Sequence, residues 1–176
     1  EVTDLNMQSK QGDRTILAAL SLVGARVSRH GSTAATMYDH LRAIQLNVAD
    51  TPDLVPPLAI VAAFAEGTSK FSGVQRLRLK ESDRLQSITA AIIALGGRAY
   101  IEGDDTLVIE GHGSLDGGSV DGECDHRIVM MASVAASFAN NPTTITHAEA
   151  IAKSYPTFFE DFRALGGNVE LTDTTE

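Results

Sequence analysis

Asp83-Arg84-Leu85 begins an apolar stretch that ends in Leu95-Gly96-Gly97-Arg98-Ala99-Tyr100, and this pattern recurs along the chain. Asp83 lies 70 positions after Asp13, which begins a similar stretch. Leu165, which ends a third stretch together with two glycines, lies 70 positions after Leu95. Self-similarity at a fixed period is typical of repeat architectures. The sequence therefore predicts a fold built from repeated units.

A second kind of apolar segment alternates with the first. Pro52-Asp53-Leu54 leads into one such segment, and Asp125-His126-Arg127 leads into another, so that Asp53 and Asp125 lie 72 positions apart. We expect a single domain over 1–176. It would contain two repeats at about 13–82 and 83–153 and a partial repeat at 154–176.

Each unit has the pattern helix, strands, helix, strand. The segment of about 83–95 carries apolar residues at spacings of three and four, which predicts an amphipathic helix, and Gly96 follows as its C′ residue. The segments of about 54–65 and 126–139 are apolar nearly all round, which predicts helices buried on every side. Ala99 to Glu110 is expected to form a β-hairpin around Gly103. The pattern indicates an α/β domain with sheets outside and helices in its centre.

Composition and charge exclude several classes of protein. The net charge of −9 argues against a nucleic-acid surface, and no apolar run is long enough to span a membrane. The single cysteine, Cys124, cannot form an internal disulfide, so a reducing compartment such as the cytoplasm is expected. No metal or cofactor is expected, because the histidines are scattered without ligand spacing: His30, His40, His112, His126 and His147.

Charged residues gather at the predicted helix starts. Helix starts present free N–H groups and a positive dipole end, which suit phosphate and carboxylate groups. Serine and aspartate there are ordinary caps. Basic residues in a first turn oppose the dipole, so their placement predicts a ligand whose negative charge compensates. The basic residues concerned are Lys80, Arg84, Arg127 and Lys153.

Several of these segments match one family. Leu79-Lys80-Glu81-Ser82-Asp83-Arg84-Leu85 resembles the signature of the 5-enolpyruvylshikimate-3-phosphate synthases. Asp125-His126-Arg127 resembles the family's second signature, Lys153-Ser154-Tyr155-Pro156 its C-terminal lysine motif, and Pro52-Asp53-Leu54 its aspartate motif. Order and spacing also agree, and the resemblance covers essentially the whole chain.

The resemblance implies a fold and a reaction. The family transfers the enolpyruvyl group of phosphoenolpyruvate to the 5-hydroxyl of shikimate 3-phosphate and releases phosphate. Its fold has two similar inside-out α/β barrel-like domains of three repeats each, with the active site in the cleft between them. The chain would be most of the C-terminal domain and is expected to be inactive alone, since the N-terminal domain supplies another lysine, an arginine and the serine-rich pocket for shikimate 3-phosphate.

The resemblance also implies a role for each motif residue. Asp53 would lie near the 5-hydroxyl and Glu81 would serve the methylene carbon as acid and base. Lys80 would contact the shikimate substrate. The residues expected to bind the carboxylate and phosphate of phosphoenolpyruvate are Arg84, Arg127 and Lys153.

Two alternatives remain open at the level of sequence. The first is the related enolpyruvyl transferase that acts on UDP-N-acetylglucosamine, although the Lys80-to-Arg84 signature favours the shikimate branch. The second is a fragment that binds anions or assembles with a partner without catalysis. Turnover by the chain alone and with an added N-terminal domain would separate them.

Overall fold

The computed structural model describes residues 1–38 and 40–172. Its five α-helices are α1 (Ile16–Leu22), α2 (Val55–Phe64), α3 (Arg84–Ala94), α4 (His126–Ala136) and α5 (Phe158–Ala164). Its eight strands are β1 (Arg26–His30), β2 (Thr33–Met37), β3 (Gln45–Asn47), β4 (Glu66–Ser72), β5 (Arg98–Glu102), β6 (Thr106–His112), β7 (Gly118–Asp121) and β8 (Thr143–Thr146). Short 3-10 turns at Pro52–Leu54, Gln75–Leu79 and Ala148–Lys153 link several of these elements.

The same order of elements occurs twice. A helix, a two-stranded hairpin and a strand–helix–strand crossover are formed first by α1, β1 to β3, α2 and β4, and then by α3, β5 to β7, α4 and β8. In both crossovers the strands are parallel, with β3 beside β4 and β7 beside β8. The beginnings of α2 and α4 therefore occupy equivalent places, and these are the places that carry Asp53 and Asp125.

The central sheet joins the two sets of elements. Its strand order is β3-β4-β6-β5, and β4 pairs antiparallel with β6 along its whole length. The smaller sheets, β1 with β2 and β7 with β8, each contain two strands. The β5–β6 hairpin confirms the predicted one, and the pairing of Ala99 with Ile109 sets its register.

Helices α2, α3 and α4 pack against one another beneath the sheets and form the core. Leu58 and Ala59 of α2 and Ile128 and Ala132 of α4 are fully buried or nearly so. This arrangement confirms the expected α/β architecture with buried central helices. The expectation that the segments of about 54–65 and 126–139 are buried on every side is wrong at Pro57 of α2 and Val134 of α4, which are exposed. It is also wrong at Phe138, which follows α4 and is 63% exposed.

Two glycines are required by the way helices and strands meet. Gly96 follows α3 with a φ of +84°, which confirms the predicted left-handed C′ position. At Gly111 of β6 a Cβ would lie 2.0 Å from the carbonyl oxygen of Ala65, so only glycine allows this strand to approach the end of α2.

The apolar side chains that follow β8 are less completely buried than those of the earlier repeats. Leu95, at the end of α3, has no exposed surface, whereas Leu165, at the same place after α5, is 90% exposed. Phe159 of α5 packs on Val129 and Ile151 in a small separate cluster. The hydrophobic core thus extends through α2 to α4 and only partly to α5.

Candidate active site

The centre of the candidate site is Arg84, the first residue of α3, whose side chain is only 1% exposed. Its guanidinium contacts three carboxylates. Nε and Nη2 donate to Asp125 at 2.7 and 3.2 Å, and Nη1 donates to Asp53 at 2.9 Å. Nη2 also donates to Glu81. Four of the five guanidinium N–H groups are therefore directed at acids by the fold itself.

Asp125 binds Arg84 from the buried side. Its side chain has no exposed surface, and it caps α4 by accepting a hydrogen bond of 2.9 Å from the backbone N–H of Arg127. Ser82 donates a further hydrogen bond of 3.2 Å to its carboxylate. Glu123 and Cys124, the two residues that precede Asp125, have φ values of +52° and +50°. This left-handed backbone conformation costs energy in residues other than glycine. The surrounding structure therefore holds Asp125 in one position.

Asp53 binds Arg84 from the open side and is 29% exposed. It also pairs with Lys80 at 3.0 Å and with Arg127 at 3.3 Å, so three basic side chains meet at one carboxylate. Burial acts to raise the pKa of Asp53, but the hydrogen bond from Lys80 and the charges of Arg127, Lys80 and Arg84 outweigh it, and the pKa lies below its usual value. Asp53 is therefore an anion at neutral pH.

Glu81 is the most accessible acid of the group, with its side chain 41% exposed. It lies three residues before Arg84, and its carboxylate contacts Nη2 of that residue. Three bases, Lys80, Arg84 and Arg127, thus face three acids, Asp53, Glu81 and Asp125. Their formal charges cancel, so this cluster alone offers an incoming anion little net attraction.

Lys153 lies beside this cluster and outside its ion pairs. Its ammonium group donates to the carbonyl oxygen of Cys124 at 2.7 Å, next to Asp125 in the chain. The expectation that Lys153 opens a helix is wrong. It ends the 3-10 turn Ala148–Lys153, and α5 begins only at Phe158. A lysine at a helical C-terminus is favourable for the dipole, so its placement there needs no ligand to explain it.

The charge of Arg84 at the start of α3 needs no ligand to compensate it, contrary to the expectation from the sequence. Arg84 does occupy the first position of α3, as expected, but the carboxylates of Asp53, Glu81 and Asp125 already compensate its charge. Lys80 lies before the helix, because Asp83 caps it. The sequence could not show the contacts of Asp53 and Asp125, which lie 31 and 41 positions from Arg84 along the chain.

The structure brings five of the six expected site residues into one ion-pair network: Asp53, Lys80, Glu81, Arg84 and Arg127. Asp125 belongs to the same network, although sequence reasoning had treated it only as a helix cap. A signal was present, because Asp125 lies 72 positions after Asp53 and precedes an equivalent helix.

A prediction on acid stability follows from Asp125. Burial acts to raise the pKa of Asp125, but hydrogen bonds from Arg84 and the Arg127 N–H and the charge of Arg84 hold that pKa below 3.8. The resulting stabilisation is fully present above about pH 4 and is lost as the pH falls through the lowered folded-state pKa. The Asp125→Asn variant, which lacks this group, should show a smaller loss of unfolding free energy below about pH 4 than the unchanged chain.

Denaturant unfolding of both proteins at a series of pH values would measure this loss. Asp104→Asn, in the exposed turn between β5 and β6, controls for the removal of one acidic residue. Equal slopes for Asp125→Asn and the unchanged chain would contradict the prediction.

The described residues contain no helix long and apolar enough to cross a membrane. Within the same residues, no group of three histidine, cysteine, aspartate or glutamate side chains is arranged to hold a metal ion.

Comparison with known families shows which family the chain belongs to. The family model described as EPSP synthase (3-phosphoshikimate 1-carboxyvinyltransferase) matches residues 1–162. The chain belongs to the EPSP synthase family. Among curated relatives, the 3-phosphoshikimate 1-carboxyvinyltransferase of Clostridium acetobutylicum is 40% identical over 166 residues, which is 94% of this chain and 38% of that protein. The enzyme of the same name from Methanocella arvoryzae is 43% identical over 165 residues, 93% of this chain and 39% of that protein.

Solved EPSP synthases share the fold. An EPSP synthase from Acinetobacter baumannii, solved at 2.37 Å, superposes with a TM-score of 0.76 and 28% identity, covering 90% of this chain and 40% of that one. The inside-out α/β fold expected from the resemblance is thereby confirmed. The chain spans about two fifths of the length of its EPSP synthase relatives.

Proposed function

We propose that this chain forms most of the C-terminal domain of an EPSP synthase and supplies one face of its active site. The parent enzyme would transfer the enolpyruvyl group of phosphoenolpyruvate to the 5-hydroxyl of shikimate 3-phosphate and release phosphate. The observation that carries the proposal is a single ion-pair network, in which Arg84 contacts Asp53 and Glu81. Lys80 and Arg127 join it by pairing with Asp53. A cytoplasmic location agrees with such a biosynthetic enzyme.

The reaction needs acidic residues that transfer protons and basic residues that hold the anionic groups of the substrates. In the addition step the hydroxyl oxygen attacks C2 of the enolpyruvyl group, the hydroxyl loses its proton and C3 gains one. In the elimination step C3 loses a proton and phosphate departs. Asp53 is anionic and partly exposed, which suits a group that accepts or orients the hydroxyl proton. Glu81 is the most exposed acid, which suits proton exchange at C3.

The basic residues would hold the anionic ends of phosphoenolpyruvate. Arg84 and Arg127 present planar forks, which bond carboxylate or phosphate oxygens in pairs. Lys80 lies 3.0 Å from Asp53, a position that suits contact with the shikimate ring hydroxyls beside the proposed base. Lys153 lies next to the loop of Cys124, where its ammonium group could exchange a backbone carbonyl for a phosphate oxygen.

The neutral charge of the cluster explains why a second domain is needed. Three bases and three acids cancel, so an anionic substrate gains affinity only from further cations. Lys153 of this chain and the lysine and arginine of the N-terminal domain would supply them, and the cleft would then align both substrates. Alignment of reactants accounts for about 7–11 kcal/mol of barrier in favourable cases.

The experiment is a chimera in which residues 1–172 replace the matching segment of the Clostridium acetobutylicum relative. We expect the chimera to release phosphate from the two substrates, and the chain alone to show no measurable release. The relative without its matching segment is the control. A folded chimera without turnover would contradict the proposal, as would phosphate release in proportion to the isolated chain. Turnover with a UDP-sugar in place of shikimate 3-phosphate would favour the related transferase.

A further inference from the structure

Two aspartates at equivalent places in the repeated element order contact one guanidinium. Asp53 precedes α2 and Asp125 precedes α4, 72 positions later. Asp53 contacts Nη1 of Arg84, and Asp125 contacts Nε and Nη2. The buried arginine is therefore held between corresponding points of two successive repeats.

The two aspartates differ in what else they can reach. Asp53 is partly exposed and shares its carboxylate with Lys80 and Arg127 at the open side. Asp125 has no exposed surface, and its partners are Arg84, the hydroxyl of Ser82 and the N–H of Arg127. Arg84 is covered on one edge by Glu81, which is 41% exposed and can give way to a substrate, whereas among the described residues no such exposed side chain covers Asp125. Asp125 can therefore affect the reaction only through its partners.

We propose that Asp125 is a positioning residue that fixes the plane and direction of the Arg84 guanidinium, so that the edge now occupied by Glu81 can receive the carboxylate or phosphate of phosphoenolpyruvate. This inference rests on the proposed function. Ser82 supports it, because its hydroxyl donates to Asp125 while accepting from Ser87 on α3.

The geometry gives the reason that one aspartate would not suffice. An arginine side chain has four rotatable bonds, and the contact of Asp53 with a single nitrogen leaves the guanidinium plane free to turn about that contact. The paired contact of Asp125 with Nε and Nη2 removes this freedom, because two parallel hydrogen bonds define a plane. Fixed orientation of a binding group before substrate arrives reduces the entropic cost of binding.

The test is Asp125→Asn in the chimera, measured as separate KM and kcat values. An amide oxygen can replace only one carboxylate contact and carries no charge. We expect the KM for phosphoenolpyruvate to rise about 10- to 100-fold, the range for hydrogen bonds to charged groups, while the KM for shikimate 3-phosphate changes less than about threefold. A role in stability alone would lower the melting temperature and leave both KM values unchanged.

A double-mutant cycle with Arg84→Lys tests whether Asp125 acts through Arg84. Lysine keeps the charge and lacks the planar fork, so in that background Asp125→Asn should add less than about a twofold change in KM. If Asp125→Asn raised the KM by the same factor in the Arg84→Lys background as in the unmodified chimera, the inference would be overturned. So would wild-type kinetics in a folded Asp125→Asn chimera.

A milder variant and a second measurement apply if Asp125→Asn does not fold. Ser82→Ala removes one hydrogen bond to Asp125, and we expect the KM for phosphoenolpyruvate to rise about two- to tenfold. Nitrogen-15 NMR of the chain alone should show a slowly exchanging Arg84 Nε–H that exchanges faster in Ser82→Ala. Unchanged KM and unchanged exchange in Ser82→Ala would overturn the inference while leaving the proposed function intact. An unmodified chimera that neither binds phosphoenolpyruvate nor turns over would overturn both.

Discussion

In the chimera, Glu81→Gln is expected to lower turnover about 10²- to 10⁴-fold, the usual contribution of general acid–base catalysis. Glutamine keeps the shape of the side chain and cannot exchange a proton with C3. Affinity for phosphoenolpyruvate should not fall, because Glu81 now contacts the same Nη2 of Arg84 that would bind the substrate's anionic group. Loss of this competing charge should leave the KM unchanged or lower it.

Steady-state kinetics with both substrates would measure this effect. The matched control is Glu102→Gln, which neutralises a partly exposed glutamate paired with Lys70 on the central sheet. Its kinetics should equal those of the unmodified chimera. Turnover within about threefold of the unmodified value in Glu81→Gln would remove Glu81 from the proposed chemistry.

The second large effect concerns stability. Arg84→Ala should lower the free energy of unfolding of the chain by about 3–5 kcal/mol, because it leaves the buried Asp125 without its partner. Natural domains have total stabilities of about 5–15 kcal/mol, so this variant would lie close to unfolding. The deficit should shrink at acid pH, where protonation of Asp125 removes the unpaired charge.

Chemical denaturation of the chain would measure this loss. Arg78→Ala is the matched control, since Arg78 lies six positions before Arg84 and pairs with Asp83 at 3.1 Å, and both side chains are partly exposed. Surface pairs of this kind contribute about 0–1 kcal/mol. If Arg78→Ala and Arg84→Ala cost the same free energy, Arg84 would not be the centre of a buried network.

The sequence predicted the local elements well where one short pattern determines them. The spacing of Leu85, Ile88 and Ile92 predicted α3, and Gly96 marked its end. Lys153 shows the limit of such reasoning. Its motif resembled a helix start, yet the buried side chains of Ala150 and Ile151 lie before it in a turn that ends there.

The charged residues of the network other than Asp125 could be selected from the sequence, whereas the pairs that they form could not. Repeat spacing and family signatures identified the charged residues, since these lie in short runs of sequence. Which acid contacts Arg84 depends on how α2, α3 and α4 converge, and Asp53 and Asp125 lie 31 and 41 positions away from it. Burial of Asp125 is likewise a result of that packing, and no local pattern distinguishes it from an exposed cap.

The different burial of Leu95 and Leu165 predicts that the two parts of the chain open to solvent by different routes. Amide hydrogens in α2 to α4 should exchange with solvent only through global unfolding, whereas those of residues 158–172 should exchange through local opening, since less apolar surface covers them. Lys153 lies at the border of these two regimes, and Arg84 lies deep within the slower one. In the proposed site, Arg84 would therefore hold an anion from a rigid part of the fold and Lys153 from a mobile part, so that one contact has fixed geometry and the other adapts to the ligand.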